Sequence, residues 1–270
     1  MNTWHKVIRY FALAFAISII FSIISVGYQV VNILTNGVIN NTKVSSEILK
    51  LEKDPNKQIL DINVKVAKVN IVKGEKLNAT TDSKYVQIEK KNNSLIITEK
   101  KHSLLKEHGT VNVTIPDEMV FDAVSFISGV GRLKVKSSIQ TGILEISSGV
   151  GEATFNDLIV NKKANIKSGV GDFTIKNGHL TNTNLELGIG EVNITAKLLD
   201  KTSIESGIGS VNIKLIGEQD DYKITTDKGI GSISVDGKSL SNDSSYGEGS
   251  NKISIKGGIG SINVDFVKVR

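Results

Sequence analysis

The sequence predicts an all-β solenoid preceded by one transmembrane α-helix, and three observations lead to this prediction. The tripeptide Gly-[Val/Ile]-Gly recurs seven times in the 270 residues, and short runs of alternating polar and apolar residues flank every copy. The third observation is one long apolar run near the start of the chain. The 25 glycines, together with abundant Val, Ile, Thr, Asn and Ser, are typical of short strands joined by turns.

The apolar run covers residues 7–31 and contains one charged residue, Arg9. As a helix it is about 37 Å long, enough to cross a hydrocarbon core of about 30 Å. Lys6 and Arg9 lie at its start, whereas the next lysine is Lys43. The positive-inside rule therefore predicts a single-pass cell-membrane protein, with residues 1–6 cytoplasmic and the C-terminal domain extracellular. A cleaved signal peptide is the alternative, but no small-residue cleavage site follows the run.

Residues 32–57 are mostly polar and are predicted to form a linker between the membrane and the β domain. Ser45 or Ser46 is expected to cap a short helix that continues to Leu51, and Pro55 prevents a longer one.

The repeats occupy residues 129–270. Each tripeptide follows one alternating run, such as Leu144–Ser148, and precedes another, such as Glu152–Phe155. Around Gly149 the apolar positions are even before the tripeptide and odd after it, and the central Val150 keeps the parity of the preceding run; the same slip of one recurs in all seven copies. The second glycine is therefore expected at a bend that resets which face points inward. The tripeptides start at Gly129, Gly149, Gly169, Gly188, Gly207, Gly229 and Gly258, at spacings of 20, 20, 19, 19, 22 and 29 residues.

One repeat cannot be stable alone. Burying three or four Val or Ile side chains contributes roughly 5–10 kcal/mol, whereas ordering about 20 residues costs roughly 20–40 kcal/mol in backbone entropy. The repeats must therefore stack, with equivalent strands pairing in parallel. Residues 58–128 contain similar short strands and are predicted to form degenerate coils or a cap. The polar segment 237–251 lengthens the last interval and is interpreted as a mobile loop, with a binding loop as the alternative.

A family resemblance rests on the segment TVNVTIPDEM, Thr110–Met119, and on the series of SGVG and SGIG units that follows it. Over roughly residues 58–270 the chain resembles the bacterial putative adhesin domain of unknown function. The resemblance implies a single-stranded right-handed parallel β-helix and a location in the cell envelope. It implies no functional residues.

The composition excludes several kinds of site. There is no cysteine, so disulfides and cysteine-based zinc sites are excluded. The tripeptides lack the third glycine and the following helix of a dinucleotide-binding loop. The net charge of +5 comes from lysines that alternate with acidic residues, which predicts a solvated surface. A polyanion-binding surface is the alternative, but a nucleic-acid partner is not expected because no basic patch is interleaved with aromatic residues.

The remaining candidate side chains predict no catalytic, metal or cofactor site. Glu152, Asp172 and Glu191 each follow a tripeptide and are expected to form an exposed acidic column with Arg132 at one end. A solvated column is favoured over a metal or sugar site. His102 and His108 are six residues apart, which is not the spacing of a helical metal pair.

The predicted function is that of a non-enzymatic, membrane-anchored surface protein. It would act as an adhesin, an envelope scaffold or an envelope-stress module. Residues 7–31 would contact membrane lipid, and the solenoid would contact a cell-wall polymer or another envelope protein. Two alternatives remain open, namely a solenoid that assembles end to end as bactofilins do, and a β-helix carbohydrate-active enzyme.

Overall fold

The structure is a computed structural model that describes residues 48, 51, 54, 56–91, 93–100 and 109–268. The predicted transmembrane segment 7–31 and both candidate histidines, His102 and His108, lie outside these residues. Within the described part of the chain, no helix has the length and the hydrophobicity that crossing a bilayer requires.

The described residues are almost entirely strand, as the repeat pattern predicts. Two very long elements pass through several coils without interruption, and the other strands are short. The strands are β1 (Ile59–Val64), β2 (Lys68–Lys73), β3 (Asn78–Thr81), β4 (Val86–Lys91), β5 (Ser94–Glu99), β6 (Thr110–Ile115), β7 (Val120–Ile175), β8 (Gly178–Ile216), β9 (Tyr222–Asp227), β10 (Ile230–Val235), β11 (Lys238–Leu240), β12 (Ser244–Tyr246), β13 (Asn251–Lys256) and β14 (Ile259–Val267). A single 3₁₀ turn, Gln219–Asp221, precedes β9.

The glycines of successive tripeptides stack in columns at the corners of the coils. Gly171 pairs with Gly190 in the parallel ladder, and Gly260 pairs with Gly209. A Cβ atom added to Gly171 would lie 2.0 Å from the carbonyl oxygen of Gly151, so a side chain cannot be accommodated there. The second glycine of every tripeptide also has positive φ. These observations confirm the solenoid and the bend that resets the inward face.

The central residue of the tripeptide departs from the parity expectation. Val150 is half-buried, and Ile208, Ile259 and Ile230 are 42%, 50% and 66% exposed. The alternation ends before the tripeptide because the chain already turns at its first glycine. The central residue therefore lies at the apex of the corner and not in the core.

The order of the coils in space differs from their order in the sequence. The β1–β2 coil lies between the β5–β6 coil and the start of β7. At the other end, the β13–β14 coil follows the last coil of β8, and the β9–β10 coil lies beyond it. The outermost coils are therefore β5–β6 and β9–β10, and not β1–β2 and β13–β14, which come first and last in the sequence.

Short antiparallel strands cover the outermost coil at both ends. β4 pairs with β5 and β3 with β6 at one end, whereas β11 pairs with β10 and β12 with β9 at the other. Segment 237–251, interpreted from the sequence as a mobile loop, contains β11 and β12 and thus forms part of this cap. The interpretation was wrong because terminal coils need a partner for their free strand edges.

Apolar side chains fill the interior along the whole stack. The rings of Phe126, Phe155 and Phe173 lie 5.9 Å and 5.7 Å apart in succession. A second, smaller cluster forms outside the coil, where helical Ile48 is fully buried against Ala123 and its neighbours. The predicted linker therefore contributes at least one residue that packs on the β domain.

Candidate functional site

The predicted acidic column exists, and its first member is ion-paired. Glu152 lies 2.8 Å from the Nε atom of Arg132 and 3.4 Å from the Nζ atom of Lys134. Asp172 and Glu191 are direct neighbours in the parallel ladder. Partial burial alone would raise the pKa of Glu152, but the hydrogen bonds and charges of Lys134 and Arg132 outweigh it and lower that pKa. Glu152 is therefore held as an anion.

The four column residues do not form a metal site. Among the described residues, no group of three or more His, Asp or Glu side chains is arranged to hold a metal ion. Beyond Glu191 the column continues with serines, and the next outward position carries a ladder of amides. Asn212 donates to Asn193 at 3.1 Å, and Asn263 donates to Asn212 at 3.1 Å. The amides of this ladder therefore satisfy one another.

A second outer surface, which the sequence reading did not single out, forms a groove of about 620 Å³. We call it the lysine groove. It lies on the strands that precede the tripeptides and crosses five coils. Its outward side chains form two columns, one of lysines with an asparagine and one of neutral amides and hydroxyls. The first column is Lys163, Asn182, Lys201, Lys252 and Lys223, and the second is Asn165, Asn184, Ser203, Ser254 and Thr225.

The repeat places both columns. Every member of the first column lies six residues before the first glycine of its tripeptide, and every member of the second lies four residues before it. Stacking of the glycines aligns these positions, so that Lys252 pairs with Lys201 on one side and with Lys223 on the other. Because side chains alternate along a strand, the position between the columns points inward, as buried Thr202 does.

Tight bends position the lysines at the start of their strands. Asn182 and Asp200 adopt left-handed backbone conformations, with φ of 47° and 60°, which Asn and Asp tolerate better than most residues. Asn251 then ties three coils together, because its Oδ1 accepts the N–H of Asp200 at 3.1 Å and its Nδ2 donates to the carbonyl of Asp221 at 3.0 Å. Lys201 and Lys252 directly follow Asp200 and Asn251, and Lys223 lies two residues after Asp221.

The charges of the lysine column are only partly compensated. Lys223 forms an ion pair with Glu248, at 2.8 Å between Nζ and Oε2. Lys201 and Lys252, which are adjacent and exposed, have no acidic group within ion-pair distance among the described residues. Like charges on neighbouring strands repel, so this arrangement is unfavourable for the isolated fold.

The same column is covered by the chain itself further along the solenoid. Ala123 and Ile143 occupy the equivalent position, six residues before their tripeptides, and both are buried beneath Ile48 and Leu51. The column is thus apolar where another segment covers it and carries lysine where it is open. Aligning the repeats on their tripeptides would have revealed this change in character from the sequence.

The family model described as Toastrack DUF4097 matches residues 57–261. The chain belongs to this family. The match confirms the predicted resemblance to an adhesin-type domain of unknown function and covers the Toastrack solenoid from β1 to the start of β14. No curated protein matches the chain.

Two solved structures are similar to this Toastrack chain. One is a putative cell adhesion protein from Clostridium sporogenes ATCC 15579, with 19% identity over 79% of this chain and 96% of that chain, at a TM-score of 0.34. The other is a putative adhesin from Bacteroides fragilis NCTC 9343, with 16% identity over 77% of this chain and 92% of that chain, at a TM-score of 0.39. At this level of similarity, no residue role is transferred from either structure to the present protein.

Proposed function

We propose that this Toastrack domain is a non-catalytic, adhesin-like binding module whose ligand lies in the lysine groove. The observation that carries the proposal is the groove itself, a concavity of about 620 Å³ lined by lysines, amides and hydroxyls on hydrogen-bonded strands, in which Lys201 and Lys252 have no acidic partner among the described residues. Binding sites combine a preformed concavity with a few placed polar groups, and here the parallel ladders fix both columns.

The charged column on the other face supports binding over glycoside hydrolysis. Such catalysis uses two carboxyl groups, one of which stays protonated as the acid because its pKa is raised. Glu152 does not fit the role of that acid, since Lys134 and Arg132 lower its pKa. An ionised carboxylate that is already paired with Arg132 and Lys134 stabilises the charged surface of the solenoid and is not poised to donate a proton.

A binding assay tests the proposal. The full-length chain in detergent is sedimented with purified cell-wall sacculi, alongside Ser254→Trp, which fills the groove. Ser232→Trp is the matched control, because Ser232 is also exposed but lies after its tripeptide, outside the groove. We expect sacculi to retain the wild type and the control but not Ser254→Trp. Absence of wild-type retention, or equal retention of all three chains, would overturn the proposal.

The proposed function includes a membrane anchor formed by residues 7–31, with the solenoid outside the cell. This part is supported by the apolar run and its flanking charges. Because the chain lacks cysteine, Ser239→Cys on exposed β11 provides one unique label site. A membrane-impermeant maleimide should label this variant in intact cells, and the chain should stay with membranes after alkaline extraction. Labelling only after lysis would contradict the orientation.

A further inference from the structure

We propose that the ligand of the lysine groove is a linear polyanion, with phosphodiester or carboxylate charges, that lies along the solenoid axis. This inference rests on the proposed function and names the ligand class for the same groove. It follows from the direction of the lysine column, from the uncompensated charges of Lys201 and Lys252, and from the Glu248 carboxylate that pairs with Lys223 at the end of the column.

The direction of the column sets the shape of the ligand. Lys201, Lys252 and Lys223 lie on consecutive strands, which are about 4.8 Å apart in the hydrogen-bonding direction. The column therefore runs across the strands, along the stack of coils. A compact anion would meet one or two of these lysines, whereas an extended chain with regularly spaced charges meets them all.

The charge of the column sets the chemistry of the ligand. Lys201 and Lys252 are held side by side by Asn251, which bridges the bends that precede them, and neither has an acidic partner among the described side chains. An anion placed between them relieves their mutual repulsion. Flexible lysines recognise phosphate and carboxylate as point charges. The column therefore selects a ligand by the sign of its charge more strictly than by the geometry of its charged groups.

Glu248 shows how an anion is held at this column. It comes from the segment between β12 and β13, and its carboxylate lies 2.8 Å from the Nζ atom of Lys223 on the outermost coil. The next two lysines along the column, Lys252 and Lys201, lack such a group. A polymer charge at each of them would extend the contact that the protein makes for itself at the end of the groove.

The neutral column supplies hydrogen bonds to the rest of the polymer. Ser203 and Ser254 are exposed and directly paired in the ladder, and Asn165 pairs with Asn184. Hydroxyl and amide groups both donate and accept, which suits the hydroxyls of glycerol or sugar units. A polymer with charges along one edge and hydroxyls along the other matches both columns at once.

The test uses the full-length chain in nanodiscs of neutral phosphatidylcholine. Fluorescent poly(glycerol phosphate) carries the phosphodiester charge, polygalacturonate carries the carboxylate charge, and dextran is the neutral control. The variant is Lys201→Gln with Lys252→Gln. Its matched control is Lys136→Gln with Lys214→Gln, two exposed lysines that follow their tripeptides and lie outside the groove.

We expect one or both charged polymers to bind and dextran not to bind. The groove variant should bind at least tenfold more weakly at low salt, whereas the control should change less than threefold. By analogy with phosphate contacts in nucleic acids, the slope of log affinity against log salt should fall by about one for each lysine removed. The preferred polymer identifies the charge as phosphodiester or carboxylate.

Three results would overturn the inference: equal binding of dextran, equal losses in both double variants, or no binding of either charged polymer. If sacculi still retain the chain in a way that Ser254→Trp abolishes while both polyanions fail, the ligand class is wrong and the binding function stands. If sacculi do not retain the wild type, the proposed function itself fails.

Discussion

At the scale of single residues, the glycine columns define how closely the coils approach. At Gly171 the backbone of the neighbouring coil occupies the space that a side chain would need, and φ is +126°. Gly237 also has positive φ, at +72°, but nothing lies within 4 Å of its added Cβ atom. The two positions therefore separate the cost of close stacking from the cost of an unfavourable backbone conformation.

We predict that Gly171→Ala lowers the free energy of unfolding by about 3–5 kcal/mol or prevents folding, because overpacking adds to backbone strain. Gly237→Ala should cost only about 1–2 kcal/mol, from strain alone. Urea unfolding of the two variants measures the difference. Equal losses would show that the corner glycines are required for conformation and not for stacking.

Glu99 takes the place of a neighbouring coil at the corner of the β1–β2 coil, which has no glycine. Residues 65–67 occupy the tripeptide position of the β1–β2 coil, since Val64 pairs with Ser128. Their three backbone N–H groups all donate to Oε2 of Glu99, at 2.7, 2.9 and 3.0 Å, and Glu99 is buried. In the next coil, the N–H of Val130 donates instead to the carbonyl of Lys65.

Removing the charge of Glu99 should therefore be costly. We expect Glu99→Gln to reduce the free energy of unfolding by about 2–4 kcal/mol, because charge-assisted hydrogen bonds to buried amides are lost. Glu89→Gln, an exposed position on β4, is the control and should change stability by less than about 0.5 kcal/mol. Comparable effects at both positions would contradict the role assigned to Glu99.

At the scale of elements, the aromatic cluster of the terminal coil links its stability to pH. Tyr222 is 1% exposed, donates a hydrogen bond to the carbonyl of Ile216 at 2.8 Å, and lies 6.0 Å from the ring of Phe266. Burial, together with the charge of Asp221, raises the pKa of Tyr222 to about 12, although a backbone hydrogen bond from Leu198 opposes the rise. The folded state therefore disfavours the phenolate.

The sign of the pH dependence follows from this raised pKa. The contribution of Tyr222 to stability is complete below its unfolded pKa of about 10 and is lost as the pH rises toward 12, by roughly 2–3 kcal/mol in total. Tyr222→Phe cannot ionise, so the stability difference between wild type and variant should shrink or reverse over this range. A difference that stays constant from pH 9 to pH 11.5 would contradict the assignment.

The sequence predicted the strands, the corners and the parallel stacking because each repeat carries the same period-two pattern around its glycines. It did not predict the order of the coils. Equivalent coils such as those of β9–β10 and β13–β14 present interchangeable edges, so no local pattern states which one pairs with β8. The lysine groove was missed because its side chains are spread over five repeats, and a lone lysine in any one of them is typical of a solvated strand face.

At the scale of the whole β domain, both ends of the stack are closed. The outermost strands, such as β4 and β11, are short, run antiparallel to the coils and carry exposed charges, among them Lys90, Lys91 and Lys238. Charged, short edges disfavour strand addition by another chain. This arrangement weighs against the alternative function of end-to-end assembly.

We therefore predict that the full-length chain in detergent forms no filaments as its concentration rises, because short antiparallel strands cover part of every terminal strand edge. Replacing Lys90 and Lys91 by Thr tests the role of charge at one end, with Lys136 and Lys214 replaced by Thr as the control. Negative-stain microscopy should show elongated association only for the first variant. Filaments of the wild type would restore the assembly hypothesis.

The order of the coils is central to the account, because it alone brings Lys252 beside Lys201 and so places two lysines without an acidic partner next to each other. Paired cysteines measure it directly in a chain that has no other cysteine. Ser203 and Ser254 are partners on adjacent strands, whereas Thr225 lies one strand further, about 9.6 Å from Ser203. Disulfides require Cα atoms roughly 4.4–6.8 Å apart. Under mild oxidation, Ser203→Cys with Ser254→Cys should cross-link within one chain, and Ser203→Cys with Thr225→Cys should not. The reverse result would place the coils in sequence order, with ion-paired Lys223 and not Lys252 beside Lys201.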